Sequence, residues 1–319
     1  MLKRFFFLLV VFLMIGCNET SETEEKIEQV NVEFEVVRFD RLFAEATEEN
    51  LSELQAQYPF LFPEQYPDSI WVQKLTDSLQ LEIEEEVHKS FPEFSGINDE
   101  LHSLFQHTKY YFPDFEAPDV ITVTSEVDYK NKVIYSEDYM FIALDTYLGE
   151  DHKFYIGLQE YLKKNFRESQ ISVDAATEIA ENYVPAPDSR TFLAHMLYYG
   201  KILYLKDKLI PFKDDAEKIG YTQKELDWAA SNEDQIWRYF VENELLFDTD
   251  SQLYSRFLYP APFSKFYLQL DAESPARLGQ YIGWMIIRSY MDKNDVSINK
   301  MLNTSAEELF NNAKYKPKK

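Results

Sequence analysis

Tyr139-Met140-Phe141-Ile142-Ala143-Leu144 is a continuous apolar run that follows the polar Ser136-Glu137-Asp138 and stops at Asp145. A run this short, rich in large side chains, reads as a strand covered on both faces, because a strand wetted on one face alternates apolar and polar residues. It ends a longer extended segment over 133–144. The β-branched Val120-Ile121-Thr122-Val123-Thr124 precedes it, separated by the turn-like SEVDYKNK of 125–132. Further upstream, Val32, Phe34 and Val36 alternate with Asn31, Glu33 and Glu35, the period of a half-buried strand within 30–40. Together these segments predict one small mixed or antiparallel sheet.

Outward from the sheet the pattern turns helical. Helices are expected near 48–57 and 67–90, the second carrying Ile70, Val72, Leu75, Leu79, Leu81 and Ile83 among charges and ended by Pro92. Another is expected over 97–106, with Asn98 as its cap. From Tyr155 onward nearly everything reads helical. Asp174 opens one helix, and Pro185 and Pro187 close the region after it. Asp188 or Ser189 caps the next, which runs to about Lys208 and is stopped by Pro211. Thr222-x-x-Glu225 and Ser231-x-x-Asp234 are capping patterns. Ser274-Pro275 opens a last long helix, with proline where its missing N–H costs nothing. A short helix over 303–312 precedes a loose basic tail, 314–319. The fold class expected is α+β, mainly helical, with one globular domain over 30–313.

The N-terminus sets the compartment. Lys3 and Arg4 precede eleven apolar residues, Phe5 to Ile15, followed by Gly16 and Cys17. An apolar stretch of that length falls short of the roughly 20 residues that span a bilayer and fits a signal peptide. A small residue before cysteine is the cleavage site of a lipoprotein signal peptidase, with Met14 where leucine is usual. The expectation is a signal peptide over 1–16, lipid on Cys17, and a membrane-anchored protein of the cell envelope, outside the cytoplasm. Residues 17–29 read as an acidic, disordered tether. Cys17 is the only cysteine, so no disulfide forms within the chain, and no thiol remains for catalysis or metal binding.

The chain carries 32 basic and 56 acidic residues, a net charge of −24. Such a surface repels nucleic acid, which requires a basic footprint. It also holds the body off anionic headgroups, leaving lipid on Cys17 as the contact with the membrane. No Gly-x-Gly-x-x-Gly, Walker loop or Gly-x-Ser-x-Gly elbow occurs, so neither a nucleotide cradle nor an α/β-hydrolase nucleophile is expected, and no cofactor is called for.

Two helices hold the candidate chemistry. His195 shares an apolar face with Phe192, Met196, Tyr199 and Leu203. A zinc-peptidase helix places histidines at i and i+4 with glutamate at i+1. Here those two later positions are Tyr199 and Met196, neither of which can do that work, so a core histidine with satisfied hydrogen bonds is the favoured reading. His102 and His107, His88 and His152 assemble no metal-ligand spacing. In the last long helix, Gly279 and Gly283 permit close backbone approach, read here as tight internal packing. Tyr281, Trp284, Met285 and Arg288 form a stripe beside it. The candidate cleft residues are therefore His195, Met196, Tyr199, Tyr281 and Trp284, with no catalytic residue and no metal ligand assigned.

In order, the lipobox ending at Cys17, Leu144-Asp145-Thr146-Tyr147-Leu148-Gly149, Met196-Leu197-Tyr198-Tyr199-Gly200-Lys201-Ile202-Leu203-Tyr204 and Arg277-Leu278-Gly279-Gln280-Tyr281-Ile282-Gly283-Trp284 resemble the GldB family of gliding motility lipoproteins of Bacteroidota. The resemblance spans essentially the whole chain. It implies an envelope lipoprotein required for gliding over surfaces, without established catalytic activity, and envelope proteins of the gliding machinery as partners. The same segments distantly resemble predicted His-Glu-x-x-His zinc proteases. That resemblance implies a degenerate peptidase scaffold retaining His195 alone, and its alternative is a metal-dependent hydrolase with an atypical site near His195. A solute-binding lipoprotein would need two lobes, of which the sequence shows no sign.

Overall fold

A computed structural model describes residues 22–268 and 271–318. The expected signal peptide and Cys17 lie outside the described residues. Four strands, β1 (Val36–Val37), β2 (Asp119–Val123), β3 (Val133–Tyr135) and β4 (Tyr139–Ala143), form one sheet in the order β1-β2-β4-β3. β1 and β4 run parallel to β2, and β3 pairs antiparallel with β4, so the sheet is mixed. The 133–144 segment is thus a hairpin, not one strand. Ser136 and Tyr139 close its turn, the Ser136 N–H donating to the Tyr139 carbonyl at 2.8 Å. The upstream strand shrinks to two residues because Phe39–Ala44 turns helical and buries Phe39 and Phe43.

Alternation along β4 explains its apolar run. Met140 and Ile142 face the main core, while Tyr139 and Phe141 face a second, smaller core around Phe39, Phe43, Phe62 and Ile121. Both faces are covered, as the unbroken run predicts.

The principal helices are α1 (Glu22–Glu28), α2 (Ser78–Ser90), α3 (Ser95–Tyr111), α4 (Ile171–Tyr183), α5 (Phe192–Leu209), α6 (Glu233–Glu242), α7 (Leu278–Lys293) and α8 (Ala306–Ala313). The protein is α+β and mainly helical. α5 is apolar nearly all round, with thirteen of its eighteen residues buried, the mark of a helix at the centre of a core. α7 crosses it in contact so close that neither Gly200 nor Gly283 has room for a Cβ. One built on Gly283 would lie 2.0 Å from the Met196 carbonyl oxygen, and one on Gly200 would lie 2.4 Å from the Gly283 carbonyl carbon. The close approach read from Gly283 is therefore internal, between α5 and α7.

Several expected boundaries move, those at Asp174 and Asp188 because the polar side chain is used elsewhere. Thr191 caps α5, accepting from the Ala194 N–H, while Asp188 accepts from the Ala306 N–H at the start of α8. Asp174 lies inside α4, which begins at Ile171, and binds Lys132 and the Tyr147 hydroxyl (2.8 Å) instead of capping. The Thr222-x-x-Glu225 capping box forms as expected. The Ser231 pattern does not, because Asn232 takes the N-cap place before α6 and donates back to the Trp228 carbonyl. Pro275 does not open α7. The first helical residue is Leu278, preceded by Arg277 at φ +59°.

The described parts of both ends read as loose, 22–29 and 314–318, are docked. Within the expected tether, α1 buries Ile27 to 1% exposure, and Glu24 lies 3.1 Å from the His107 ring nitrogen. Within the expected tail, the Tyr315 hydroxyl and the Lys318 N–H both donate to Glu233, a carboxylate only 2% exposed. A buried carboxylate must be met by donors, and these residues supply them. Among the described residues, no helix is long and apolar enough to cross a membrane.

Candidate functional site

The five cleft residues expected from the sequence do not share a cleft. Met196 is fully buried where α5 meets α7. Trp284 is fully buried as well; its Nε1 donates to Asp207 at 2.9 Å and the Arg288 guanidinium lies 3.9 Å from its ring centre. Tyr281 donates to Glu233 at 3.0 Å. His195 is half-buried, its ring centre 4.3 Å from that of Tyr254, and burial lowers its pKa. Its described contact is thus aromatic, where satisfied hydrogen bonds were expected. Of the five, Tyr199 alone lines the cavity between α4, α5 and α7. Among the described residues, no group of three or more His, Cys, Asp or Glu side chains is arranged to hold a metal ion.

That cavity, about 300 Å³, opens between α4, α5, the turn at Gly220 and the start of α7. Lys206 enters it from α5. It is 6% exposed, and its ammonium donates to the Lys218 carbonyl at 2.9 Å. Burial pushes its pKa down to about 8, because taking an ammonium out of water disfavours the charged form. Arg277 enters from the N-terminal end of α7 and donates to the Gly220 carbonyl at 3.0 Å. Its left-handed backbone, which costs a non-glycine residue on the order of 1 kcal/mol, aims the guanidinium across the Tyr221 ring at 5.6 Å from its centre. Lys132 pairs with Asp174, and Lys164 with Glu225 at 2.6 Å.

Sequence reading missed these residues because they come from separate segments with no local spacing in common. One signal was present. Lys206 is a charge following the apolar Ile202-Leu203-Tyr204-Leu205, so a buried ammonium was there to be noticed.

Asp174, Glu178 and Glu181 share one face of α4 at helical spacing. Burial first, then the neighbouring Glu181 and Asp174 charges, raises the Glu178 pKa to about 7. An acid with a raised folded pKa stabilises the fold below its unfolded pKa, and that contribution is lost as pH rises through the folded value. The wild type should therefore lose stability between roughly pH 4.5 and 7 relative to Glu178→Gln. Thermal melts should place the variant ahead by about 1–2 kcal/mol at pH 8, after allowance for partial exposure, and level with wild type at pH 4. A constant difference across that range would contradict the assignment.

No curated protein and no solved structure matches this chain. A family model described as "Gliding motility protein GldB" matches residues 20–317, from just after Cys17 to the docked tail. The matched span contains α1, the sheet, the α5–α7 crossing and the cavity, and so covers nearly every element described. On that match the chain belongs to the GldB family of gliding motility lipoproteins.

Proposed function

We propose that this protein is exported, cleaved before Cys17 and anchored by lipid on that cysteine, and that its folded body is a non-enzymatic interaction or assembly component of the gliding machinery. The family match over 20–317 carries the reading. The leader ending Gly16-Cys17 supports the anchor, and the net charge of −24 suits a body held away from anionic headgroups. Stable attachment needs more than one acyl chain, which diacylglycerol on Cys17 supplies.

The test is complementation. A gliding bacterium lacking its own family member receives either the wild-type gene or Cys17→Ala. The wild type should restore spreading and fractionate with membranes, whereas the variant should do neither. A Cys17→Ala protein that stays in the membrane fraction would overturn the anchor. A membrane-bound wild type that leaves spreading unrestored would overturn the gliding role.

A further inference from the structure

The cavity between α4, α5 and α7 carries charge of the sign opposite to that of the chain. Lys132, Lys164, Lys206, Lys218 and Arg277 line it against Asp174 and Glu181, in a protein of net charge −24. Three of the cations are neutralised: Lys132 by Asp174, Lys164 by Glu225 and Lys218 by Asp207 at 3.3 Å. Lys206 and Arg277 have no such contact, although the charges of Asp174 and Glu181 act on Lys206 and those of Glu225 and Asp174 on Arg277. Each donates to a backbone carbonyl, and neither forms an ion pair with a carboxylate among the described residues. Glu181 stays exposed on the rim. A lysine ammonium has three N–H donors, so the buried Lys206 keeps two beyond the Lys218 carbonyl.

We propose that this cavity binds a phosphate monoester group, with Lys206 and Arg277 as its two charge partners. Two cations without a contacting carboxylate face one space, and a phosphate monoester, at about −1.5 to −2 near neutral pH, brings charge and acceptor oxygens enough for both. A carboxylate has two oxygens, which the Arg277 fork alone would occupy. Arg277 offers a planar fork to two phosphate oxygens, and Lys206 a point charge to another. The N-terminal ends of α4 and α7 both reach the lining, and their partial positive charge acts in the same direction. Tyr129, Tyr161 and Tyr199 line the remaining space, which suits a small organic moiety such as a sugar ring on the phosphate. Burial weakens the Lys206 charge, and a bound dianion would restore it.

Titration calorimetry on the full-length protein in neutral detergent tests this with two probes, inorganic phosphate and glucose 6-phosphate. Both should bind, the sugar phosphate more tightly, and Lys206→Met should weaken both at least about tenfold. That variant removes a buried charge and should keep its fold, which circular dichroism and a thermal melt would check. Arg277→Gln, which keeps a donor for the Gly220 carbonyl, should weaken binding similarly. Equal affinity for the two probes would support the phosphate site and place recognition in the phosphate alone. No heat of binding from either probe up to about 10 mM would overturn the proposal. So would full affinity in folded Lys206→Met. None of these outcomes depends on whether the protein restores gliding.

Discussion

Replacing Gly283 with alanine is expected to destabilise the fold by about 3–5 kcal/mol, although alanine is the better helix former. The alanine gain is at most about 1 kcal/mol, from reduced backbone freedom in the unfolded chain. Against it stands a methyl carbon placed 2.0 Å from the Met196 carbonyl oxygen and 2.6 Å from its carbonyl carbon. Both are backbone atoms of α5 and cannot rotate away. Relief requires α5 and α7 to separate, and both are central: Met196, Leu197, Ile282 and Trp284 are all essentially inaccessible. Overpacking that moves backbone goes beyond the usual cost of about 1–3 kcal/mol. At about 2–4 °C per kcal/mol for a domain of this size, the melting temperature should fall on the order of 10 °C. Gly96 is the control. It lies in α3, and a Cβ there meets nothing within 4 Å, so Gly96→Ala should be neutral or slightly stabilising. A Gly283→Ala protein melting within about 2 °C of wild type would show that the two helices can part at little cost.

The sequence disclosed the covered strand, its β-branched neighbour and the helix that holds Gly200, because each is a local pattern of burial. β4 betrays two-sided cover by lacking polar interruptions, and α5 betrays a central position in the same way. What stayed hidden was decided by distant partners. Nothing near Tyr315 or Lys318 indicates that Glu233 will be buried in need of donors. Asp188 looks like a cap for the helix that follows it, yet it serves α8, far along the chain. Arg277 follows Pro275 in a context that suits a helix start, and only the fold reveals its left-handed backbone. The cavity is the extreme case. Its charged residues run from Lys132 to Arg277, and what matters about them is which ones lack a carboxylate partner. Spacing carries no information of that kind. The cleft expected around His195 failed for the converse reason. Met196 and Trp284 are both fully buried, and the backbones of α5 and α7 meet beside them, so neither side chain is free to line a groove.

Asp207→Ala should be comparably damaging, at about 3–5 kcal/mol, through electrostatics instead of volume. Asp207 sits near the end of α5 and gathers donors from two other elements. Arg288 of α7 reaches it with Nε at 2.7 Å and a terminal nitrogen at 2.6 Å, Trp284 gives its indole N–H at 2.9 Å, and Lys218 approaches to 3.3 Å. The carboxylate is largely buried, and Lys218 is more so, at 7% side-chain exposure. Deleting it leaves Lys218 with only Asp215, 3.8 Å away and more exposed, and leaves the Trp284 N–H without its acceptor in a fully buried site. Arg288 suffers less, since Asp215 also accepts from it at 2.7 and 2.8 Å. The stranded Lys218 ammonium and the orphaned indole should therefore supply most of the loss. Two further variants separate these terms. Asp207→Asn keeps an acceptor for Trp284 and should lose about half as much. Lys218→Met combined with Asp207→Ala should recover part of the alanine loss, because the lysine then no longer sits buried without its nearer carboxylate. Urea unfolding of the wild type, Asp207→Ala, Lys218→Met and the double variant yields the coupling between positions 207 and 218. Strict additivity, with no recovery in the double variant, would mean that the Asp207–Lys218 contact contributes nothing and that Arg288 and Trp284 alone tie α5 to α7 at this end.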